Sequence, residues 1–192
     1  MKLHSSTHVV EKSGNFEENQ FSIEASAKAF MILSDGLYSN KILAVIRELS
    51  TNAYDSHVDA GVADRPFEVH LPTRLEPHFH VRDYGTSMTH DQCMTLYTTY
   101  FRSTRNDSND AVGCLGLGSK APFAYADSFT VEAFKDGEKR VYAAHRDSNG
   151  SPTFCLMDTV PTDEDNGIKV SLPVEKNDCD RFAKEATKTY QY

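Results

Sequence analysis

The chain has 192 residues, of which 39% are hydrophobic and 25% are charged, and this composition is typical of one globular domain with a sizeable core. Its formal charge of −8 excludes the basic surface that nonspecific nucleic-acid binding requires, so no direct nucleic-acid binding is expected. The sequence has neither a long apolar run nor a signal-peptide pattern at "MKLHSSTHVV", so we expect a cytoplasmic protein without a transmembrane segment. Its four cysteines form no C-x-x-C pair, so neither a disulfide framework nor a cysteine zinc site is expected.

The sequence pattern in the first third of the chain predicts an irregular arm followed by two helices. Residues 1–19 are polar and predict an irregular arm. The segment "FSIEASAKAFMIL" (21–33) starts extended and then predicts a short helix capped near Ser26. Residues 35–61 contain no proline, and their apolar residues recur at helical spacing up to Gly61, which is a plausible helix stop. This long helix is the main helical element that the sequence predicts.

Two alternating segments follow, "FEVHL" (67–71) and "HFHVRD" (78–83), and they predict a hairpin-like pair of strands. His78 and His80 flank Phe79 and therefore share one face of the second strand. One interpretation of this spacing is a pair of metal ligands. Because no third ligand is near in sequence, a solvated strand face is the favoured interpretation.

The second half predicts mainly strands. An amphipathic segment, "CMTLYTTYF", indicates one short helix, and "SKAPFAYA" indicates another that tolerates Pro122 in its first turn. Short turns separate four strand-like segments, as in an antiparallel meander: "SFTVEAF", "KRVYAAHR", "PTFCLMD" and "GIKVSLPV". A final helix is expected in "CDRFAKEATKTY". This order of elements predicts an α+β fold with helices on one face of a sheet.

The glycine-rich segment "GCLGLGSK" (113–120) indicates backbone amides arranged around phosphate, but it fits neither common signature. In a P-loop, lysine directly follows glycine and precedes a hydroxyl residue, whereas here Ser119 separates Gly118 from Lys120 and Ala121 follows. A dinucleotide-binding loop has to follow a strand, and the preceding "RSTRNDSNDAV" is polar and loop-like. The segment therefore needs another explanation.

The long helix carries the polar sequence "RELSTNAYDSH", in which Glu48, Asn52 and Asp55 are spaced i, i+4 and i+7 and so lie on one stripe. For an arbitrary helix, a solvated polar face is the favoured interpretation. A carboxamide one turn from a carboxylate can also ligate Mg²⁺ while the carboxylate orients a water molecule. The downstream residues favour this second interpretation.

Those downstream residues begin with "VRDYGTSM" (81–88), which places Asp83 at a strand end, where its carboxylate can accept a hydrogen bond from an adenine amino group. Gly85 would leave room for the flat base. The glycine-rich segment with Lys120 then supplies amide donors and a positive charge for phosphates. A magnesium ligand, a base acceptor and a phosphate-binding segment in this order predict a site for ATP and Mg²⁺.

The ordered set resembles the ATP-binding domain that DNA gyrase, the ninety-kilodalton heat-shock chaperone, sensor histidine kinases and MutL share, the GHKL superfamily. The resemblance implies a Bergerat-type two-layer sandwich, with helices packed on one face of a mixed, mostly antiparallel sheet. It places the domain at 20–192, with an ATP lid at about 84–118. Across roughly residues 20–185, five segments also look like the N-terminal region of T-even phage rIIA proteins: "FSIEASAKAFMILSDGLYSNKI", "KILAVIRELSTNAYDSH", "VRDYGTSM", "GLGSKAPFAYADSF" and "GIKVSLPVE".

The resemblance implies a role for each matching residue. Glu48 would be the general base, Asn52 would ligate Mg²⁺, and Asp83 would accept from the adenine amino group with Met88 packed on the ring. Asp55 would either reach the base through water or brace neighbouring backbone. The implied nucleotide-binding residues are Asn52, Asp55, Asp83, Gly85, Met88, Gly113, Gly116, Gly118 and Lys120. For Arg47 a structural ion pair is favoured. Arg102 and Arg105 could reach phosphate from the lid, but a solvated loop is the favoured interpretation.

Two residues depart from the superfamily pattern. Ser87 stands at the second glycine of the Asp-x-Gly-x-Gly turn, and a serine that takes a positive φ costs on the order of 1 kcal/mol. Ile168 follows Gly167, where the superfamily usually has a threonine that makes a further hydrogen bond near the adenine. Losing one such bond weakens binding by about 1 kcal/mol, so we expect weaker ATP binding than in the better-known members.

The resemblance also implies how ATP is used. In several members a second domain supplies a basic residue to the γ-phosphate, and efficient hydrolysis requires dimerisation. Because the chain ends soon after the ATP-binding domain, slow or absent hydrolysis is expected. The expected partners are ATP and ADP, a second copy in an ATP-dependent homodimer, and an rIIB-like protein or a host factor during phage infection. The alternative is a nucleotide-independent interaction module, a decoy or inhibitor of a host protein, that retains the fold.

Overall fold

The computed structural model describes residues 26–36, 38–100 and 117–191. The predicted N-terminal arm lies outside these ranges. The helices are α1 (Ala27–Gly36), α2 (Lys41–Asp59), α3 (His90–Thr98) and α4 (Cys179–Thr189), with short 3-10 helices at Gly118–Ala124 and Lys176–Asp178. The strands are β1 (Glu68–His70), β2 (His78–Arg82), β3 (Ser128–Lys135), β4 (Glu138–Arg146), β5 (Pro152–Pro161) and β6 (Gly167–Pro173).

All six strands form one sheet in the order β1-β2-β6-β3-β4-β5, and each pairing in the described ranges is antiparallel, so the mixed sheet that was expected is not seen there. The α+β class is confirmed. The predicted continuous meander holds for β3, β4 and β5 but is wrong for β6, which returns to lie between β2 and β3. Burial explains this position, because Ile168, Val170 and Leu172 of β6 are buried and an edge strand would expose more of them.

The long helix α2 packs its apolar stripe against one face of this sheet. It begins later than the sequence predicted, because Asn40 acts as the N-cap and its side chain accepts from the Leu43 N–H at 3.2 Å. Its end agrees with the prediction, since Gly61 follows with a φ of 72°. The buried residues of its stripe are Ile42, Val45, Ile46, Leu49 and Ala53. The adjoining stripe, which carries Asn52 and Asp55, faces a cavity.

Alternating residues of the central strands complete the core. Phe79 and Val81 of β2 are buried, as are Val131 of β3 and Leu172 of β6, and Phe182 of α4 packs on Phe79 with 5.3 Å between ring centroids. The segment after the glycine-rich run forms a short helix, as expected, of the 3-10 type. Among the helices of the described ranges, none has the length and apolar character needed to span a membrane.

Candidate nucleotide-binding site

A cavity of about 710 Å³ lies between α2, the turn after β2, α3 and the start of the 3-10 helix at Gly118–Ala124. Its volume is within the range of small-molecule sites. The described residues that line it include four aspartates and neither lysine nor arginine. The residues that line the cavity include Asn52, Asp55, Ser56, Asp83, Ser87, Met88 and Gly118.

Asp83 is the most fixed polar group of the cavity. It directly follows β2 and is 5% exposed. One carboxylate oxygen accepts from the Ser56 hydroxyl at 3.0 Å and from the Gly85 N–H at 2.9 Å, and the other accepts from the Ile168 N–H at 3.1 Å. Burial raises the pKa of this carboxyl, and the three hydrogen bonds together with the Arg82 guanidinium oppose the rise. A carboxylate has about four acceptor positions, so Asp83 retains capacity for a ligand donor.

Gly85 is required for the turn to lie against α2. A Cβ at this position would come within 2.2 Å of the Ser56 hydroxyl oxygen and 2.4 Å of the Ser56 carbonyl oxygen. The sequence predicted that the absence of a side chain at Gly85 leaves room for a base. In the structure, the nearest neighbour of this position is helix α2. Gly85 therefore acts by bringing Asp83 close to Ser56.

His57 anchors the same turn from inside the core. It is 1% exposed, and the Tyr84 N–H donates to its Nε2 at 2.7 Å. The Nδ1 atom lies 2.9 Å from the Arg65 carbonyl oxygen, so the neutral tautomer that carries its proton on Nδ1 satisfies both contacts.

Ser87 takes the left-handed conformation that its place in the turn predicted, with a φ of 56°. Its hydroxyl donates to the Gly167 carbonyl at 2.9 Å, which offsets part of the backbone strain. Gly167 has a φ of 144°, and a Cβ there would lie 2.0 Å from the Asp83 carbonyl oxygen. Ser87 and Gly167 together hold β6 against the Asp83 turn, although Ser87 also occupies space in the cavity wall.

The other end of the cavity is formed by α2 and Gly118. A Cβ at Gly118 would come within 2.7 Å of Glu48 Oε2 and 3.4 Å of Asn52 Oδ1, so this backbone lies close to both side chains. Asn52 lines the cavity, and Glu48 lies beside it. Burial raises the pKa of Glu48 while the Arg47 charge opposes the rise. A carboxylate whose pKa is raised is a more effective general base near neutral pH.

The structure places Lys120 differently from the sequence expectation. Its side chain is buried and donates to the Leu96 carbonyl at 2.5 Å, and it does not line the cavity. Burial lowers its pKa to about 8. Its contact with phosphate stays a prediction. Gly113, Gly116 and the arginines at 102 and 105 lie outside the described residues.

Met88 and Asp55 both line the cavity, as expected of residues near a base, and the role of Asp55 stays open. Sequence reasoning missed Ser56, which bonds Asp83. A signal for it was present, because Ser56 lies four residues after Asn52 and so extends the same helical stripe. The contributions of α3, among them Gln92 and Tyr97, had no comparable signal.

The structure is a two-layer α+β sandwich in which a buried aspartate after a central strand shares a cavity with an asparagine on the long helix. No family model matches the chain. It is similar to chaperone protein HtpG of Rhodococcus jostii (26% identical over 88% of this chain), of Anaplasma marginale (26% over 87%) and of Mycolicibacterium vanbaalenii (24% over 83%). HtpG belongs to the ninety-kilodalton heat-shock family of GHKL ATPases.

These similarities support a GHKL-type ATP-binding domain over most of the chain. The chain spans only 28–29% of the length of these HtpG relatives. The comparison therefore concerns one part of a larger chaperone.

Proposed function

We propose that this chain is an ATP-binding domain that takes its nucleotide together with Mg²⁺. The observation that carries the proposal is the buried Asp83 carboxylate in the cavity wall, held by three donors and still able to accept from an amino group. Adenine offers an amino donor at the position where guanine offers a carbonyl acceptor. Asp83 would therefore select adenine over guanine.

The charge of the cavity supports a requirement for Mg²⁺. Four aspartates line it, and neither lysine nor arginine does so among the described residues. A bare triphosphate would be repelled by such a wall, and a divalent cation bound through oxygen ligands offsets this repulsion. Asn52 lies at the same end as Glu48 and Gly118 and is the residue proposed to ligate the ion.

Hydrolysis is proposed to be slow or absent in this domain alone. Glu48 would receive a proton from water, and two observations support this role: its carboxylate lies close to Asn52, and burial raises its pKa. Stabilising the transferred phosphoryl group also requires positive charge. Among the described lysines, Lys120 is the nearest in sequence to Gly118, which forms this end of the cavity. Its ammonium group donates to a backbone carbonyl, that of Leu96.

The wider role is proposed from resemblance. On the pattern of the superfamily, binding of ATP would switch an interaction surface and favour a homodimer, and the rIIA resemblance suggests a protein that acts during phage infection with an rIIB-like or host partner. The HtpG relatives are chaperones by name, but they are similar to this chain over less than a third of their length. The alternative of a nucleotide-independent module is favoured by Ser87, which occupies space in the cavity wall.

Calorimetric titration with the nonhydrolysable analogue AMPPNP, with and without Mg²⁺, tests the proposal. We expect Mg²⁺-dependent binding of AMPPNP. GMPPNP should bind at least tenfold more weakly, because the loss of a hydrogen bond to a charged group costs about 1.5–3 kcal/mol of binding free energy. Asp83→Asn should weaken AMPPNP binding by roughly 10–100-fold. Asp163→Asn is the matched control, because Asp163 is exposed and lies away from the cavity.

Absence of binding by the wild-type chain at millimolar AMPPNP would overturn the proposal and favour the nucleotide-independent module. Equal affinity for the adenine and guanine analogues would refute the role of Asp83 even if nucleotide binds. This comparison uses the wild-type chain, so it does not depend on how well Asp83→Asn folds.

A further inference from the structure

Three histidines meet on the face of the sheet opposite the long helix α2. His78 and His80 are alternate residues of β2, and His70 of β1 lies directly opposite His80 in the antiparallel register. The intervening Phe79 points into the core. Sequence reasoning favoured a solvated face because a third ligand was missing nearby in sequence, and strand pairing brings that third residue into place.

The spacing of the histidines suits a metal ion. One ring nitrogen from each histidine can be chosen so that all three lie within 4.8 Å of one another. A tetrahedral ion with bonds of 2.0–2.1 Å needs ligand atoms roughly 3.3 Å apart, so modest side-chain rotations close the set. The rings are already nearly parallel, with centroids 4.2 Å apart for His70 and His78 and 4.9 Å apart for His70 and His80.

Two hydrogen-bonding features point to a ligand independently of this spacing. The Nδ1 atom of His80 is buried and has no hydrogen-bond partner among the described residues, so nothing there replaces the hydration that this nitrogen loses on burial. His70 Nδ1 lies 3.0 Å from the His78 carbonyl oxygen, and its Nε2 lies 3.1 Å from Glu76 Oε2. The first contact orients the ring as the outer contacts of metal-bound histidines do, and the second brings an oxygen ligand to the cluster.

We propose that His70, His78 and His80 form a binding site for a borderline divalent cation of the Zn²⁺ type, with the Glu76 carboxylate as the fourth ligand. Imidazole nitrogen with one carboxylate is a donor set that Zn²⁺ accepts in tetrahedral geometry. His70 would bind the metal through Nε2, while Nδ1 keeps its contact with the His78 carbonyl oxygen. This site lies on the other face of the sheet from the nucleotide cavity and is independent of it.

The charges around the cluster are compatible with a bound cation. Burial is the main cause that lowers the pKa of His78 and that lowers the pKa of His80 to about 4. Lys169 of β6 is the facing cation, and Glu132 offsets its charge at 3.1 Å. Glu68 of β1 and Glu76 contribute negative charge to the same face.

Binding here would connect the edge strand to its neighbour. The edge strand β1 has only three residues and pairs only with β2 in the described sheet. A metal held by both strands and by Glu76 of the connection between them would fix this edge. Zn²⁺ should therefore raise the unfolding temperature of the chain as well as bind to it.

Calorimetry of the tag-free full chain with ZnCl₂ and visible absorption with Co²⁺ test the proposal. We expect one equivalent of Zn²⁺, a tetrahedral Co²⁺ spectrum and a higher unfolding temperature with Zn²⁺. His78→Asn should weaken Zn²⁺ binding by at least about 100-fold and Glu76→Gln by about tenfold. His145→Asn on β4 is the matched control and should bind as the wild type does. Asp83→Asn should also retain Zn²⁺ binding.

Equal Zn²⁺ affinity in the wild type and in His78→Asn would overturn the site, as would an equal loss in His145→Asn. A Co²⁺ spectrum of octahedral type would also overturn the proposed ligand set. If His78→Asn does not fold, Glu76→Gln decides the question, because the Glu76 side chain is 65% exposed and its loss leaves the core intact. Unchanged affinity in that folded variant would refute the four-ligand site.

Discussion

The two ends of the cavity are built in different ways. At one end, Asp83 is fixed by donors from α2, from its own turn and from β6, which are 27, 2 and 85 residues away in sequence. At the other end, Glu48 and Asn52 lie one turn apart on α2, and the backbone of Gly118 comes close to both. The first end therefore depends on the whole sheet, and the second depends mainly on one helix. Substitutions at the first end should affect stability, whereas those at the second should affect mainly the ligand.

The largest effect is expected from Gly85→Ala. The added Cβ would meet backbone and side-chain atoms of Ser56 at 2.2–2.5 Å, so the turn has to move away from α2. We expect the free energy of unfolding to fall by about 1–3 kcal/mol or more, with loss of AMPPNP binding. Urea unfolding and calorimetry measure the two effects. Gly36→Ala is the control, because a Cβ at Gly36 meets no atom of the described residues within 4 Å. A Gly85→Ala chain as stable as the wild type would contradict this account of the turn.

Lys120 provides a pH test next to the second end. Because burial lowers its pKa to about 8, the folded chain holds fewer protons than the unfolded chain between this value and the ordinary lysine value of 10.5. Stability from this residue should therefore rise with pH across that window. The wild type should gain about 2 kcal/mol relative to Lys120→Met between pH 7 and pH 9.5. Urea unfolding of both chains at the two pH values measures the difference. A constant difference would mean that Lys120 is not penalised by burial.

Gly118→Ala tests the second end directly. The added Cβ would meet Glu48 Oε2, the flexible end of a side chain, at 2.7 Å and Asn52 Oδ1 at 3.4 Å. We expect little change in the free energy of unfolding and roughly tenfold weaker binding of Mg²⁺-AMPPNP, which corresponds to about 1.4 kcal/mol. In a Glu48→Ala background the same change should cost less, because the obstructing carboxylate is gone. Equal costs in both backgrounds would refute the close approach.

The same contrast explains how far the sequence predicted this structure. Helix α2 and the stripe of Glu48, Asn52 and Asp55 follow from a period of 3.6 residues, which is a local property. The α+β class and the Asp83 turn were also predicted from local patterns. The place of β6 between β2 and β3 was not, because strand pairing depends on contacts between residues far apart in sequence. For the same reason no local pattern predicted that β6 supplies the Ile168 N–H to Asp83, or that β1 supplies His70 to the histidine cluster.

The smallest effect is expected from Ser87→Gly, which removes a strained serine from the base end. Glycine relieves a φ of 56°, but it also loses the hydrogen bond to the Gly167 carbonyl and adds freedom to the unfolded chain. These contributions are each about 1 kcal/mol and partly cancel, so stability should change by less than about 1 kcal/mol. Because the serine side chain occupies part of the cavity wall, removing it should tighten AMPPNP binding by up to about fivefold.

Asp136→Gly is the matched control for this change, because Asp136 has a φ of 54° in the turn between β3 and β4 and lies away from the cavity. Glycine at position 136 relieves a similar backbone strain. The Asp136→Gly variant therefore separates a general effect on the fold from a direct effect on ligand binding. We expect Asp136→Gly to leave AMPPNP affinity unchanged, as measured by the same titration. If both variants tighten binding equally, the gain comes from the fold and Ser87 does not crowd the nucleotide. If Ser87→Gly alone tightens it, the departure from the Asp-x-Gly-x-Gly pattern limits affinity at the base end.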